Sequence, residues 1–220
     1  MKSYRIFDIV GPRMIGPSSS HTAGAARIGK VAYTLAGGNV KKAHVTLYDS
    51  FATTGEGHGT DKALAGGLLG MEPDDERLKY SFRLAEEQGV EITFETSTKE
   101  AKHPNTARIV VEGENGNKAE LVGVSVGGGN IEIQEINGME VSFNCKYPTT
   151  LTFHHDLPGV ISRVTATMAR EGINIAFMKV FRTSKQQQAC MVIETDGIVP
   201  AEIIETIRKE NPEIWEICSL

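Results

Sequence analysis

Gly16-Pro17-Ser18-Ser19-Ser20-His21-Thr22-Ala23-Gly24 places three serine hydroxyls, an imidazole and a threonine hydroxyl in consecutive positions between glycines. These groups suit anion binding coupled to proton movement: the hydroxyls donate to a carboxylate or phosphate, and histidine exchanges a proton near neutral pH. Just downstream, Ile28, Val31, Ala32 and Leu35 recur at i, i+3, i+4 and i+7. That period predicts a helix from about Thr22 to Leu35, with Ser20 as its N-cap. The run then opens onto a helix N-terminus, whose free N–H groups suit an anion and whose partial positive charge keeps a nearby imidazole neutral. A helix cap with no ligand is the plain alternative for the same residues. A second imidazole, His58, lies among Gly55, Gly57 and Gly59. Three glycines in five residues predict a tight loop from which the ring projects, with Thr60 or Asp61 capping a short helix Lys62–Leu69. The triple glycine Gly127-Gly128-Gly129 reads as a flexible joint or a close approach of backbone to a ligand.

The elements that must hold these groups follow from periodicity and punctuation. Residues 4–10 predict a short strand or extended lead-in. Gly37-Gly38-Asn39 stops the first helix, and Ala43–Tyr48 alternates as a strand. Asp74 and Asp75 open a helix through about Gln88, stopped by Gly89, and Val90–Phe94 is a strand. Ala107–Glu112 with Lys118–Ser125, and Ile131–Ile136 with Met139–Phe143, read as two hairpins, the second turning at Asn137-Gly138. The stretch 144–150, with Pro148, is the domain boundary, giving domains 1–145 and 149–220. Beyond it come strand Thr150–His155, a helix marked by Val160, Ile161, Val164 and Met168 and ending at Glu171-Gly172, strand Ile173–Arg182, a turn at Ser184–Gln187, strand Gln188–Thr195, helix Pro200–Lys209 and strand Ile214–Leu220. The order βαββαβ is a ferredoxin-like unit of about 70 residues. The fold class is α+β, with a mixed α/β domain first.

Composition narrows the function classes. The chain has 220 residues, a formal charge of −5 and 40% hydrophobic content, ordinary for a globular chain and without the basic excess that nucleic acid or an anionic membrane requires. It holds no run of about 18 apolar residues and no signal-peptide core, so a cytoplasmic location is the default expectation. Cys145, Cys190 and Cys218 are odd in number, distant in sequence and without a CxxC pair. They read as small buried residues, not as a disulfide framework or a thiolate cage, so no metal is expected in this chain. His44 sits in a predicted strand, His103 precedes Pro104, and His154-His155 would present one ring to each face of a strand, a poor chelate.

The last 70 or so residues resemble an ACT domain, through His155-Asp156-Leu157-Pro158-Gly159-Val160, Gly172-Ile173-Asn174-Ile175 and the βαββαβ order. That resemblance implies amino-acid sensing or assembly, ACT–ACT self-association, and Asp156, Gly159 and Asn174 as regulatory candidates. An assembly role without a ligand stands equally open. The part before it resembles the β chain of the iron–sulfur-dependent L-serine dehydratases, through Phe7–Pro12, Ile15–Gly24, Gly57-His58-Gly59-Thr60-Asp61 and Ser125-Val126-Gly127-Gly128-Gly129. The resemblance implies conversion of L-serine to pyruvate and ammonia without pyridoxal phosphate. A [4Fe–4S] cluster would reside on a partner α chain, and none in this one. On that reading His58 is the base, and His21 orients substrate or assists proton transfer, with the two roles exchangeable. Ser18, Ser19, Ser20 and Thr22 bind carboxylate or hold the loop, while Gly127, Gly128 and Gly129 bring N–H groups close. Two other readings remain: a purely regulatory serine-sensing subunit with no catalytic group, and a stand-alone amino-acid-binding protein.

Overall fold

The computed structural model describes residues 13–184 and 187–220. The strand expected over residues 4–10 and the stretch 7–12 lie outside these, as does the middle of the Ser184–Gln187 turn. By packing, the chain divides into a unit ending at Gly138 and a unit Met139–Leu220.

The first unit opens with a π-helical turn, Ser19–Gly24, that runs directly into α1, Ala25–Leu35. Next come β1 (Val40–Leu47), α2 (Asp49–His58), α3 (Thr60–Leu68), a 3-10 turn Glu76–Tyr80 and α4 (Ser81–Glu87). Strands β2 (Glu91–Thr96), β3 (Thr106–Gly113), β4 (Lys118–Gly127) and β5 (Asn130–Ile136) complete the unit. They stand in the order β2-β1-β3-β4-β5, with β1 and β2 parallel and the other neighbours antiparallel. Cross-strand pairs on the polar face fix the register: Lys42 with Glu91 at 2.8 Å, His44 with Thr93 at 2.9 Å, and Arg108 with Glu120. The other face presents Ala43, Val45, Ile109, Val111 and Leu121, all buried. α1 seats on it where Gly123 leaves room, since a Cβ there would stand 2.8 Å from Ile28 Cγ2.

α1 and α3 then meet backbone to backbone. A Cβ on Gly67 would lie 2.1 Å from the Ala26 carbonyl oxygen, and one on Gly29 would lie 2.4 Å from that of Leu64. Such a crossing is open only to residues without a side chain.

Two elements differ from expectation. Thr53–His58 is not a loop but the second half of α2. Phe51, fully buried, anchors that helix, and Asp49 Oδ2 accepts the Ala101 N–H at 3.0 Å beside its start. The Thr53 and Thr54 hydroxyls donate to the Asp49 and Ser50 carbonyls at 3.0 and 2.8 Å. Tertiary anchoring outweighs the helix cost of roughly 1 kcal/mol per glycine. Of Gly55, Gly57 and Gly59, only Gly59 uses the left-handed region, at φ 69, and there it separates α2 from α3. The helix expected over 74–88 is also divided. Asp75 caps the 3-10 turn by accepting the Arg77 N–H at 2.9 Å, and α4 begins only at Ser81, whose hydroxyl donates to the Lys62 carbonyl at 2.8 Å.

Asn137 and Gly138 turn the chain after β5, both at positive φ, as the Asn-Gly pair predicts. β6 (Met139–Phe143), placed by the sequence within 1–145, counts with the second unit. The rest of that unit is β7 (Thr149–His155), α5 (Val160–Arg170), β8 (Ile175–Arg182), β9 (Gln188–Thr195), α6 (Ala201–Glu210) and β10 (Ile214–Ser219). The last four strands form an antiparallel sheet in the order β10-β7-β9-β8, the ferredoxin-like arrangement expected. Val160, Val164 and Met168 of α5 and Ile204 and Ile207 of α6 pack with Met191, Ile193 and Ile217 of the sheet. No helix among the described residues is long and apolar enough to cross a membrane.

His154 is buried in this unit at 2% exposure, with Thr152 Oγ1 3.5 Å from its Nδ1. Burial holds its pKa below 6.5. The unfolded chain therefore binds a proton below about pH 6.5 that the folded unit refuses, and stability falls as the pH drops through that window. In urea titrations at pH 7.5 and 5.5, His154→Phe should lose less stability on acidification than the wild type. Equal losses would show that His154 does not set this slope.

Candidate functional site

The glycine-bounded run does not begin an ordinary α-helix. Ser18, not Ser20, is the cap: its Oγ accepts the His21 N–H at 3.2 Å, while its carbonyl accepts that of Thr22 at 2.8 Å. Both bounding glycines are demanded by contact. A Cβ on Gly16, at φ 138, would lie 2.5 Å from Thr22 Oγ1, and one on Gly24 would lie 2.1 Å from Ser125 Oγ. Ser125 of the fourth motif thus packs against the end of the first.

The His21 ring meets α2. Its Nε2 lies 3.0 Å from Thr54 Oγ1 and 3.2 Å from Ser50 Oγ, and its Nδ1 lies 3.4 Å from Ser18 Oγ. The Phe51 ring stands edge-on at 5.3 Å between centroids, and the His58 ring at 5.0 Å, tilted by 49°. Burial, and then the neighbouring His58, lower the His21 pKa, while hydrogen bonding at Ser50 opposes them. His21 is therefore a neutral imidazole at pH 7, held so by burial and a second histidine rather than by a helix terminus.

His58 is the last residue of α2, and its carbonyl accepts the Thr22 hydroxyl at 3.4 Å. It lines a cleft of about 250 Å³ together with Thr22, Gly57, Gly59, Lys62 and Lys79. The structure therefore brings His21, His58, Ser18 and Thr22 together. Ser19 and Ser20 are half-buried in the π-helical turn and do not line the cleft.

Gly127, Gly128 and Gly129 do not line it either. They form the β4–β5 turn at φ 97, 60 and 75, with Arg27 Nη1 donating to the Gly129 carbonyl at 2.6 Å. Their glycine content answers to turn geometry, not to an approach to the cleft. In the second unit, Asp156 pairs with Arg182 at 3.3 Å, and Asn174 Nδ2 donates to Asp196 Oδ2 at 2.7 Å. Gly159, at φ 93, precedes α5. Because β7 and β8 both run antiparallel to β9, Asp156 and Gly159 follow one end of the sheet and Asn174 precedes the opposite end. The three regulatory candidates do not converge within this unit.

Sequence reasoning missed Ser50, Thr54, Lys62 and Lys79. Ser50 and Thr54 are four apart and so share a helix face, a signal hidden by reading the segment as a loop. The cysteines do not fit an iron–sulfur cluster, whose ligands are thiolates. Burial pushes the Cys190 thiol up to about 12 and that of Cys218 higher still. Among the described residues, no group of three or more His, Cys, Asp or Glu is placed to hold a metal ion.

Fold and site define a two-part protein, an α/β unit with two histidines meeting beside a cleft, joined to a ferredoxin-like unit. Family models match both parts: Serine dehydratase beta chain over residues 5–89 and ACT domain over residues 149–211. A Bacillus subtilis (strain 168) protein named "Probable L-serine dehydratase, beta chain" is 46% identical, with 100% of this chain and 99% of that one covered. The L-serine dehydratase β chain of Peptoniphilus asaccharolyticus is 40% identical over 89% of each chain. A D-3-phosphoglycerate dehydrogenase of Methanocaldococcus jannaschii is 37% identical over 56% of this chain and 23% of its own length. The chain belongs to the serine dehydratase β-chain family, with a C-terminal ACT domain.

Proposed function

We propose that this chain is a subunit of a cytoplasmic, iron–sulfur-dependent, pyridoxal-phosphate-independent L-serine dehydratase. It works with an α chain to convert L-serine to pyruvate and ammonia. The observation that carries the reading is the meeting of the imidazoles of two separate motifs, 37 positions apart in sequence, beside one small cleft in a member of this family. His58, at the cleft, accepts the α-proton of serine. His21 is the positioning residue: its ring nitrogens engage hydroxyls from the cap Ser18 and from Ser50 and Thr54 of α2, and so set where the end of α2 stands. Thr22 fixes the backbone at His58.

Among the described residues no group of side chains is placed to hold a [4Fe–4S] cluster, and in this scheme activation of the leaving hydroxyl belongs to the α chain. The ACT unit serves assembly or amino-acid sensing, with ACT–ACT self-association as its mode.

Anaerobic serine-to-pyruvate turnover of the purified α chain, of this chain, and of the two combined tests the reading. Turnover is expected only from the combination, with iron following the α chain. Equal turnover by the α chain alone would overturn a catalytic contribution from this chain and favour a regulatory one.

A further inference from the structure

The cleft beside His58 holds two ammonium groups that the scheme above leaves idle. Lys62, in the first turn of α3, and Lys79, in the 3-10 turn, both line it, and no carboxylate does. Among the described residues neither lysine has an ion-pair partner. The Lys79 ammonium rests 5.1 Å from the centre of the Tyr80 ring. Lys62 is held through its backbone: its N–H donates to Asp61 Oδ1, and its carbonyl accepts the Ser81 hydroxyl, each at 2.8 Å. Three other lysines of the same unit are paired, Lys30 with Glu72, Lys42 with Glu91 and Lys118 with Glu112. Two unpaired cations in one recess, beside the walls formed by Ile15, Pro17, Ala63 and Leu78, create a site that attracts an anion.

We propose that Lys62 and Lys79 bind the carboxylate of L-serine, holding its α-carbon toward His58. This rests on the reading of the chain as a catalytic subunit. It reassigns the carboxylate from the serine run, in which Ser19 and Ser20 do not line the cleft and Ser18 and Thr22 are otherwise engaged. Ser18 Oγ accepts from the His21 backbone and meets its ring, and the Thr22 hydroxyl donates to the His58 carbonyl. The carboxylate is the one anionic group of serine, and two cations beside it also favour the negative charge that develops when the α-proton leaves. The two lysines are exposed to solvent, so each contributes modestly, about a fivefold change in binding and roughly 30-fold for the pair.

The test compares L-serine with L-serinamide, in which a neutral amide replaces the carboxylate. Binding is measured by calorimetry on the two-chain complex carrying His58→Ala, so that turnover does not consume the ligand. Without lysine changes, serine should bind tighter than serinamide. With Lys62→Gln and Lys79→Gln together, serine affinity should fall roughly 30-fold while serinamide affinity holds. Lys→Arg at both positions should restore most of the preference.

Unchanged serine affinity, or equal weakening of both ligands, overturns the assignment. So does loss of assembly with the α chain as the sole effect, which would make the lysines contacts for acidic groups of that partner. The two layers separate cleanly. Normal turnover by the parent complex with lysine-independent binding removes only the carboxylate site. Lysine-dependent serine binding in a complex that never makes pyruvate removes the catalytic reading and leaves the site.

Discussion

His58→Ala should lower kcat of the assembled two-chain enzyme by about 100-fold or more at saturating serine, with iron content and assembly unchanged. Loss of a positioned general acid or base typically costs about 10²–10⁴ in rate. An effect within that range is expected because, among the described residues, His58 is the imidazole that lines the cleft. His21, the other candidate, has both ring nitrogens near hydroxyls and stands off the lining. His58→Gln sharpens the result. Glutamine retains a hydrogen-bonding side chain but cannot accept the α-proton at neutral pH, so it should lose as much as alanine. Recovery of rate in His58→Gln would make His58 a positioning residue. An unchanged kcat in both variants, with an altered response to serine concentration, would place the chain among regulators and move attention to the ACT unit.

How much of this was legible in the chain depends on the range of the interaction. The βαββαβ unit could be read because its signals are local: Gly172 at the end of α5 with φ 70, Pro200 ahead of α6, and alternating strands between. The Asn137-Gly138 turn was readable for the same reason. The two histidines were readable as chemistry, through residue type and glycine context.

Their mutual placement was not readable, because it is made by partners far away in sequence. His21 is held by Ser50 and Thr54, 29 and 33 residues on, and those two face it only because α2 is a helix. Glycine content argued against that helix, and the burial of Phe51 overrode it. Gly127–Gly129 read in sequence as a joint or a ligand loop, and the structure places them as three positive-φ residues of a hairpin turn. Lys62 and Lys79 carry no local signature. Only the packing of α3 against the 3-10 turn and α4 sets them on one recess, and Ser81 bonding to the Lys62 carbonyl is a visible part of that packing.

Gly67→Ala should destabilise the first unit by about 3 kcal/mol, the upper end of ordinary overpacking costs. The added methyl would stand 2.1 Å from the Ala26 carbonyl oxygen, 2.8 Å from the Lys30 nitrogen and 2.9 Å from Gly29 Cα. All three are backbone atoms, so no side chain can rotate aside, and α1 and α3 must move apart. The consequence reaches the site by connectivity. α1 follows directly on the π-helical turn that carries His21, and α3 begins two residues after His58. Separating the two helices therefore separates the two imidazoles, and turnover should fall even at temperatures where the variant remains folded. Gly57→Ala is the matched control for stability. Its added methyl meets no atom within 4 Å, its φ is not positive, and it lies inside α2, so alanine should be neutral or stabilising by up to about 1 kcal/mol. Urea midpoints followed by circular dichroism decide the matter. A Gly67→Ala midpoint equal to the wild type would mean that the helix crossing yields without cost, and that the distance between His21 and His58 is set elsewhere, by the hydroxyls of Ser50 and Thr54 alone.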